Sequence, residues 1–164
     1  MGHAGFTGYG RWSDRNWRNV PGPFYGASTD TMWHLLAEAP AHILCDDEDN
    51  SQGFVFRQPI DAAAVECVVR AAQLDCYLGF AHDGDQHWTV PEVRRWWRER
   101  RRIAEWINDV LPKWTADTGN PAAAAGLRAY AAYLGGELAE DLRLYAFWLD
   151  QRRSPTPEER LPEL

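Results

Sequence analysis

Apolar residues recur at helical spacing through the second half of the chain and lose any regular period over the first forty positions. Leu127, Tyr130, Leu134, Leu138, Leu142, Tyr145 and Leu149 follow at steps of three or four. That spacing predicts a helix packed along its whole length, opened by Asn120-Pro121 and reaching about Arg152. Gly135-Gly136 interrupts it at about 1 kcal/mol each relative to alanine, which marks a kink or a close backbone approach. Upstream, Thr89-Val90-Pro91-Glu92 has the capping-box pattern. The helix it opens puts Val93, Trp96, Trp97, Ile103, Ile107, Val110 and Leu111 on one broad stripe, ending near Pro112 or Trp114. A third helix is expected from Asp61 as N-cap to about Leu74, with Ile60 as a hydrophobic staple and Val65, Val68, Val69 and Ala72 as its inner face.

Period-two patterning is confined to two short runs, residues 42–46 and 53–59, which read as a β-hairpin around an acidic loop. Such a hairpin needs helices or a further strand against it to be stable. Residues 1–40 are rich in Gly, Pro and aromatics, and Pro21-Gly22-Pro23 enforces extended or turning backbone. A short helix is expected over residues 31–38, before Pro40. The aromatic content predicts that this leader wraps on the rest of the fold instead of forming a disordered tail. The expected fold class is α+β: an irregular aromatic N-terminal segment and a β-hairpin packed on three helices, the last two long. Residues 1–153 read as one domain and 154–164 as a loose tail.

Composition narrows the function classes. The chain has 164 residues, 45% of them hydrophobic and 25% charged, which is globular composition. No apolar run approaches the ~20 residues that span a bilayer, and the opening MGHAGFTGYGRW lacks the apolar stretch of a signal peptide, so a cytoplasmic protein is expected. A net charge of −7 opposes general nucleic-acid binding and suits a basic protein partner. Only Lys113 among the 17 basic residues is lysine, a bias that makes arginine abundance a poor phosphate signal. The basic run from Arg94 to Arg102 reads as the solvated outer face of its helix, paired locally with Glu92, Glu99 and Glu105.

Nine tryptophans give the chain an unusual supply of interface and pocket residues. Trp12, Trp17, Phe24, Tyr25 and Trp33 of the leader, with Trp88, are the expected partner- or ligand-binding aromatics, and Asp46, Asp47 and Asp49 at the hairpin tip are the expected dock for a basic partner. The segment 82–88 gathers His82, Asp83, Asp85 and His87, which suit either general acid–base work or, through His82, Asp85 and His87 with His34 or His42 added, a transition metal. The plainer alternative is a tight turn at Asp83-Gly84-Asp85 with His87 bonded beside the following helix. Cys45, Cys67 and Cys76 form no CxxC pair and are expected as buried reduced thiols. Walker and Gly-x-Ser-x-Gly patterns are missing, and no cofactor is expected.

NVPGPFYGASTDT (19–31), FVFRQP (54–59) and DGDQHWT (83–89), followed by a Trp-rich helix, resemble a family of small tryptophan-rich actinobacterial proteins without an assigned activity, some of which carry the label ferredoxin. The resemblance covers most of residues 10–110. Three cysteines cannot supply the four thiolates of an iron–sulfur cluster, so the label does not carry over. Two functional expectations stand. The first is a non-catalytic protein-binding module, of the immunity or inhibitor kind, recognising a basic partner. The other is a small enzyme or ligand-binding protein of specialised metabolism, with an aromatic pocket made by the leader and the His82 to Trp88 loop.

Overall fold

The Asp61 carboxylate accepts from the Ala64 N–H, and Thr89 and Glu92 complete their reciprocal capping box, so both helix starts lie where the side chains dictate. The computed structural model describes residues 8–29, 34–48, 51–117 and 119–164. Among them the order is β1 (Tyr25–Gly26), α1 (His34–Glu38), β2 (Ile43–Cys45), β3 (Gly53–Val55), α2 (Ala62–Leu74), β4 (Phe80–Ala81), α3 (Val90–Glu99), α4 (Arg101–Ala116), α5 (Pro121–Gly135) and α6 (Leu138–Gln151). The architecture is α+β, as its sequence patterning predicts. No helix among the described residues is long and apolar enough to cross a membrane.

Both long helices divide. At Arg100 the N–H bonds to the carbonyl of Trp97 rather than one residue further back, a tightened turn that ends α3 and starts α4. Gly135-Gly136 ends α5, and α6 starts two residues later. The apolar stripes continue across both breaks: Val93, Ile103, Ile107, Val110, Leu127, Tyr130, Leu138 and Leu142 are all buried. Ile60 is no staple; it is 90% exposed.

β2 and β3 pair antiparallel, Ile43 opposite Val55 and Leu44 opposite Phe54. Ile43 and Val55 join Phe24, Phe80 and the inner face of α2, whereas Leu44 and Phe54 join the cluster formed with α3 to α6. The hairpin is therefore a middle layer buried on both faces. β1 pairs antiparallel with β4, a contact that two-residue strands leave unreadable in sequence. Tyr9 and Gly10 of the leader add hydrogen bonds to Leu78 and Phe80.

Asn19 joins the two strand pairs. Its Oδ1 accepts from the N–H groups of Gly26 and Val55, each at 2.9 Å, and its Nδ2 donates to the carbonyls of Asn16 and Gly26. Here a side-chain amide does what a strand would do. The approach is close enough that a Cβ at Gly26 would lie 2.0 Å from the carbonyl oxygen of Gly53, so only glycine fits.

The C-terminal segment is tied down, contrary to the expectation of a loose tail. The Arg94 side chain donates to the carbonyl of Glu163, Leu164 packs against the main core, and Arg153 pairs with Glu159.

Candidate functional site

Arg18 fixes the wall of the leader that faces α3 and α4. Its side chain is 4% exposed, lies between the rings of Trp17 and Trp106 at 4.3 and 4.5 Å, and reaches Asp46 at 3.3 Å and Glu48 at 3.0 Å. Its carbonyl accepts from the hydroxyl of Tyr130 in α5. Asp46 in turn takes hydrogen bonds from Asn16, Glu48 N–H and Gln52 N–H. Burial pushes the Asp46 carboxyl above the ordinary aspartate value, and the bond from Asn16 and the charge of Arg18 only partly offset it.

The wall so fixed encloses a cleft of about 210 Å³ against α3 and the start of α4. Trp17, Trp88 and Trp96 supply its aromatic surface, and Arg15, Arg95, Arg102, Glu92 and Glu99 its charge. The guanidinium of Arg102 lies 3.7 Å from the Trp17 ring, and that of Arg15 lies 3.9 Å over Trp12 and 5.7 Å from Trp88. Glu92 is engaged by the capping box and stands 3.9 Å from Arg95. Burial lowers the Arg15 pKa, with Glu92 opposing and neighbouring Arg95 adding to the fall. The volume equals about seven waters of liquid. It lies below the roughly 300–1,000 Å³ of sites for drug-sized molecules, so the cleft suits a single ring with a short polar head.

Beside the cleft, the segment 82–88 makes a different structure from a metal site. Asp83 Oδ1 accepts from the Tyr25 hydroxyl at 2.8 Å, and Asp83 Oδ2 meets His87 Nε2 at 3.1 Å. Burial raises the Asp83 carboxyl, but the bonds from Tyr25 and His87 outweigh it and hold the group below the ordinary aspartate value. The His87 ring stacks on Trp12 at 4.8 Å. Asp85 points elsewhere, to the Tyr145 hydroxyl at 2.7 Å, and His42 bonds the carbonyl of Arg57. His82 is exposed against the ring of Phe24. Among the described residues no group of three His, Cys, Asp or Glu side chains could hold a metal. Gly84 is required here, since a Cβ would fall 2.2 Å from the carbonyl oxygen of Gly22.

None of the protein families, curated proteins or solved structures compared with this chain matches it. The site is therefore read from its own geometry.

That geometry sorts the expected site residues. Trp17 and Trp88 line the cleft, and Trp12 backs it through its edge-on contact with Trp88. Phe24 and Tyr25 are 5% and 1% exposed, so they hold the leader in the core and offer no surface to a partner. Asp46 is corrected in the same way: it is 1% exposed, with its carboxylate turned inward to Arg18 and Asn16. Asp47 is exposed and accepts from the indole N–H of Trp106. Trp33 and Asp49 lie outside the described residues. Cys45 is buried and its thiol is pushed up to about 12 by burial and by Asp46, whereas Cys76 is exposed and departs from the expected buried thiols. Sequence reasoning missed Arg15, Asn16, Asn19, Trp96 and the α3 and α4 residues Glu92, Arg95, Glu99, Arg102 and Ile103 as cleft residues. The signal that could have found the first three is the run Arg15-Asn16-Trp17-Arg18-Asn19, polar side chains around an aromatic inside an otherwise apolar leader.

Proposed function

We propose that this protein is a non-catalytic binding protein that takes a small molecule with one flat ring into the tryptophan–arginine cleft. The observation that carries the reading is the convergence of Trp17, Trp88 and Trp96 with three arginines around one recess whose leader wall is fixed by buried hydrogen bonds. Indoles supply large apolar contact at low cost in side-chain entropy, and a wall that is already ordered removes part of the penalty of binding. The Asp83–His87 pair does not line the cleft, so the recess holds a ligand without a histidine–carboxylate pair aimed at it.

A basic protein partner at the hairpin tip has weaker support. Asp46 is buried, Glu48 pairs with Arg18, and Asp47 bonds to Trp106, so the carboxylates expected to face outward are engaged within the fold.

The test is an indole-¹⁵N NMR titration with benzoate and with phenol as ring probes. Saturable shifts at Trp17, Trp88 and Trp96, with Trp114 and Trp148 unmoved, are expected. Trp96→Ala is expected to weaken the interaction at least tenfold. Shifts that never saturate, or that cluster on Trp114 and Trp148, would contradict the reading.

A further inference from the structure

The charges around the cleft are unequally engaged, and the imbalance has a direction. Among the described residues Glu92 has Thr89 and Arg95 as partners, while neither Glu99 nor Arg102 is in an ion pair. Both line the same recess. The guanidinium carbon of Arg102 lies 3.7 Å from the centre of the Trp17 ring. A guanidinium is suited to a carboxylate, which it can grip through two parallel hydrogen bonds. Arg15 lies close enough to both Glu92 and Arg95 for each to act on its charge, and with Arg102 the recess is lined by three arginines against two glutamates. Glu99, the last residue of α3 and three positions before Arg102 of α4, adds an anion that has no ion pair among the described residues.

Resting on the proposal that this cleft binds a small ligand, we infer that the ligand is a zwitterion of the free α-amino-acid class with an aromatic side chain, its carboxylate toward Arg95 and Arg102, its ammonium toward Glu99 and its ring among Trp17, Trp88 and Trp96. A purely anionic ligand leaves Glu99 beside it as a like charge. A purely cationic one faces three arginines against two glutamates. Only a ligand carrying both charges meets complementary groups of both signs, and a recess of about 210 Å³ admits one ring with such a head.

The probes are L-phenylalanine, 3-phenylpropionate, which lacks the ammonium, and 2-phenylethylamine, which lacks the carboxylate, each titrated calorimetrically into the intact chain. L-Phenylalanine is expected to bind at least tenfold more tightly than either analogue. Glu99→Gln removes its advantage over 3-phenylpropionate, and Arg102→Gln removes its advantage over 2-phenylethylamine. Both side chains are exposed, so the variants are expected to keep the wild-type melting temperature. Equal affinity for the three compounds, or tightest binding by either analogue, overturns the inference. If benzoate and phenol still shift the cleft indoles in that case, the binding role stands and only the ligand class fails. If no ring compound reaches the cleft, both fail.

Discussion

Asn19 satisfies both donors and both acceptor positions of its amide on backbone groups, and these bonds link β1, β3 and the turn at Asn16. Asn19→Ala leaves the N–H groups of Gly26 and Val55 without partners in the interior. The expected loss of stability is about 3 kcal/mol, since each buried orphan costs roughly 1–3 kcal/mol. Asn19→Asp keeps the acceptors, loses the donors and buries a charge, so it is expected to fall in the same direction. Urea unfolding checks both, and a loss below about 0.5 kcal/mol for Asn19→Ala, within the scatter of ordinary surface substitutions, contradicts the assigned role. Arg18 is the other residue on which the leader depends, held by Asp46, Glu48 and two indoles. Neither role was legible in the sequence. A polar residue between turns reads as solvated, and only the tertiary fold shows that it replaces strand pairing.

At the scale of elements, caps and periodicity were legible because both are local. Asp61, Thr89 and Asn120 each cap the helix that the pattern predicts. The breaks were less legible. Gly135-Gly136 announced one, whereas Arg100 has no helix-breaking character, and its side chain folds back on the carbonyl and ring of Trp97. The docked tail was also hidden, because PTPEERLPEL carries little apolar content. Its anchor can be tested by pH: the bonds from Arg153 and the Thr156 N–H hold Glu159 at about 2. A carboxyl depressed in the folded state adds stability above its unfolded pKa and loses it as pH falls through the folded value. Docking through Glu159 is thus expected to be complete above pH 5 and to be lost on acidification toward about 2. Carbon-detected NMR titration reads this directly, and Arg153→Ala is expected to return Glu159 to the ordinary range. A wild-type midpoint between 4 and 5, where free glutamate titrates at about 4.3, would show that the contact is not made in solution.

For the whole molecule, the leader, Trp88 and helices α3 and α4 meet around one cleft, and that meeting is what a linear reading foresaw only in outline. The aromatic leader pointed to a pocket, and Trp17 and Trp88 were named for it. Trp96, expected on the inner stripe of a continuous helix, is half-buried and borders the recess. The basic run was expected to face solvent, and Arg94, Arg95, Arg98, Arg101 and Arg102 are exposed; Arg101 pairs with Glu105 as its spacing suggests, while Arg95 and Arg102 also border the cleft. Charge spacing along a helix fixes which residues share a face, not what packs opposite that face. The His82 to His87 loop illustrates the same limit, since proximity in sequence suggested a shared site and the side chains diverge to Tyr25 and Tyr145.

The cleft exists only if its leader wall stays in place without a ligand. Native-state amide hydrogen exchange of the free protein measures this at the N–H groups of Val20, Gly26 and Val55, which are bonded to Val55, Asn19 and Asn19 respectively. These amides are expected to exchange with opening free energies close to that of global unfolding. Exchange as fast as that of an exposed loop would mean that the wall opens freely and that the recess is not a preformed site.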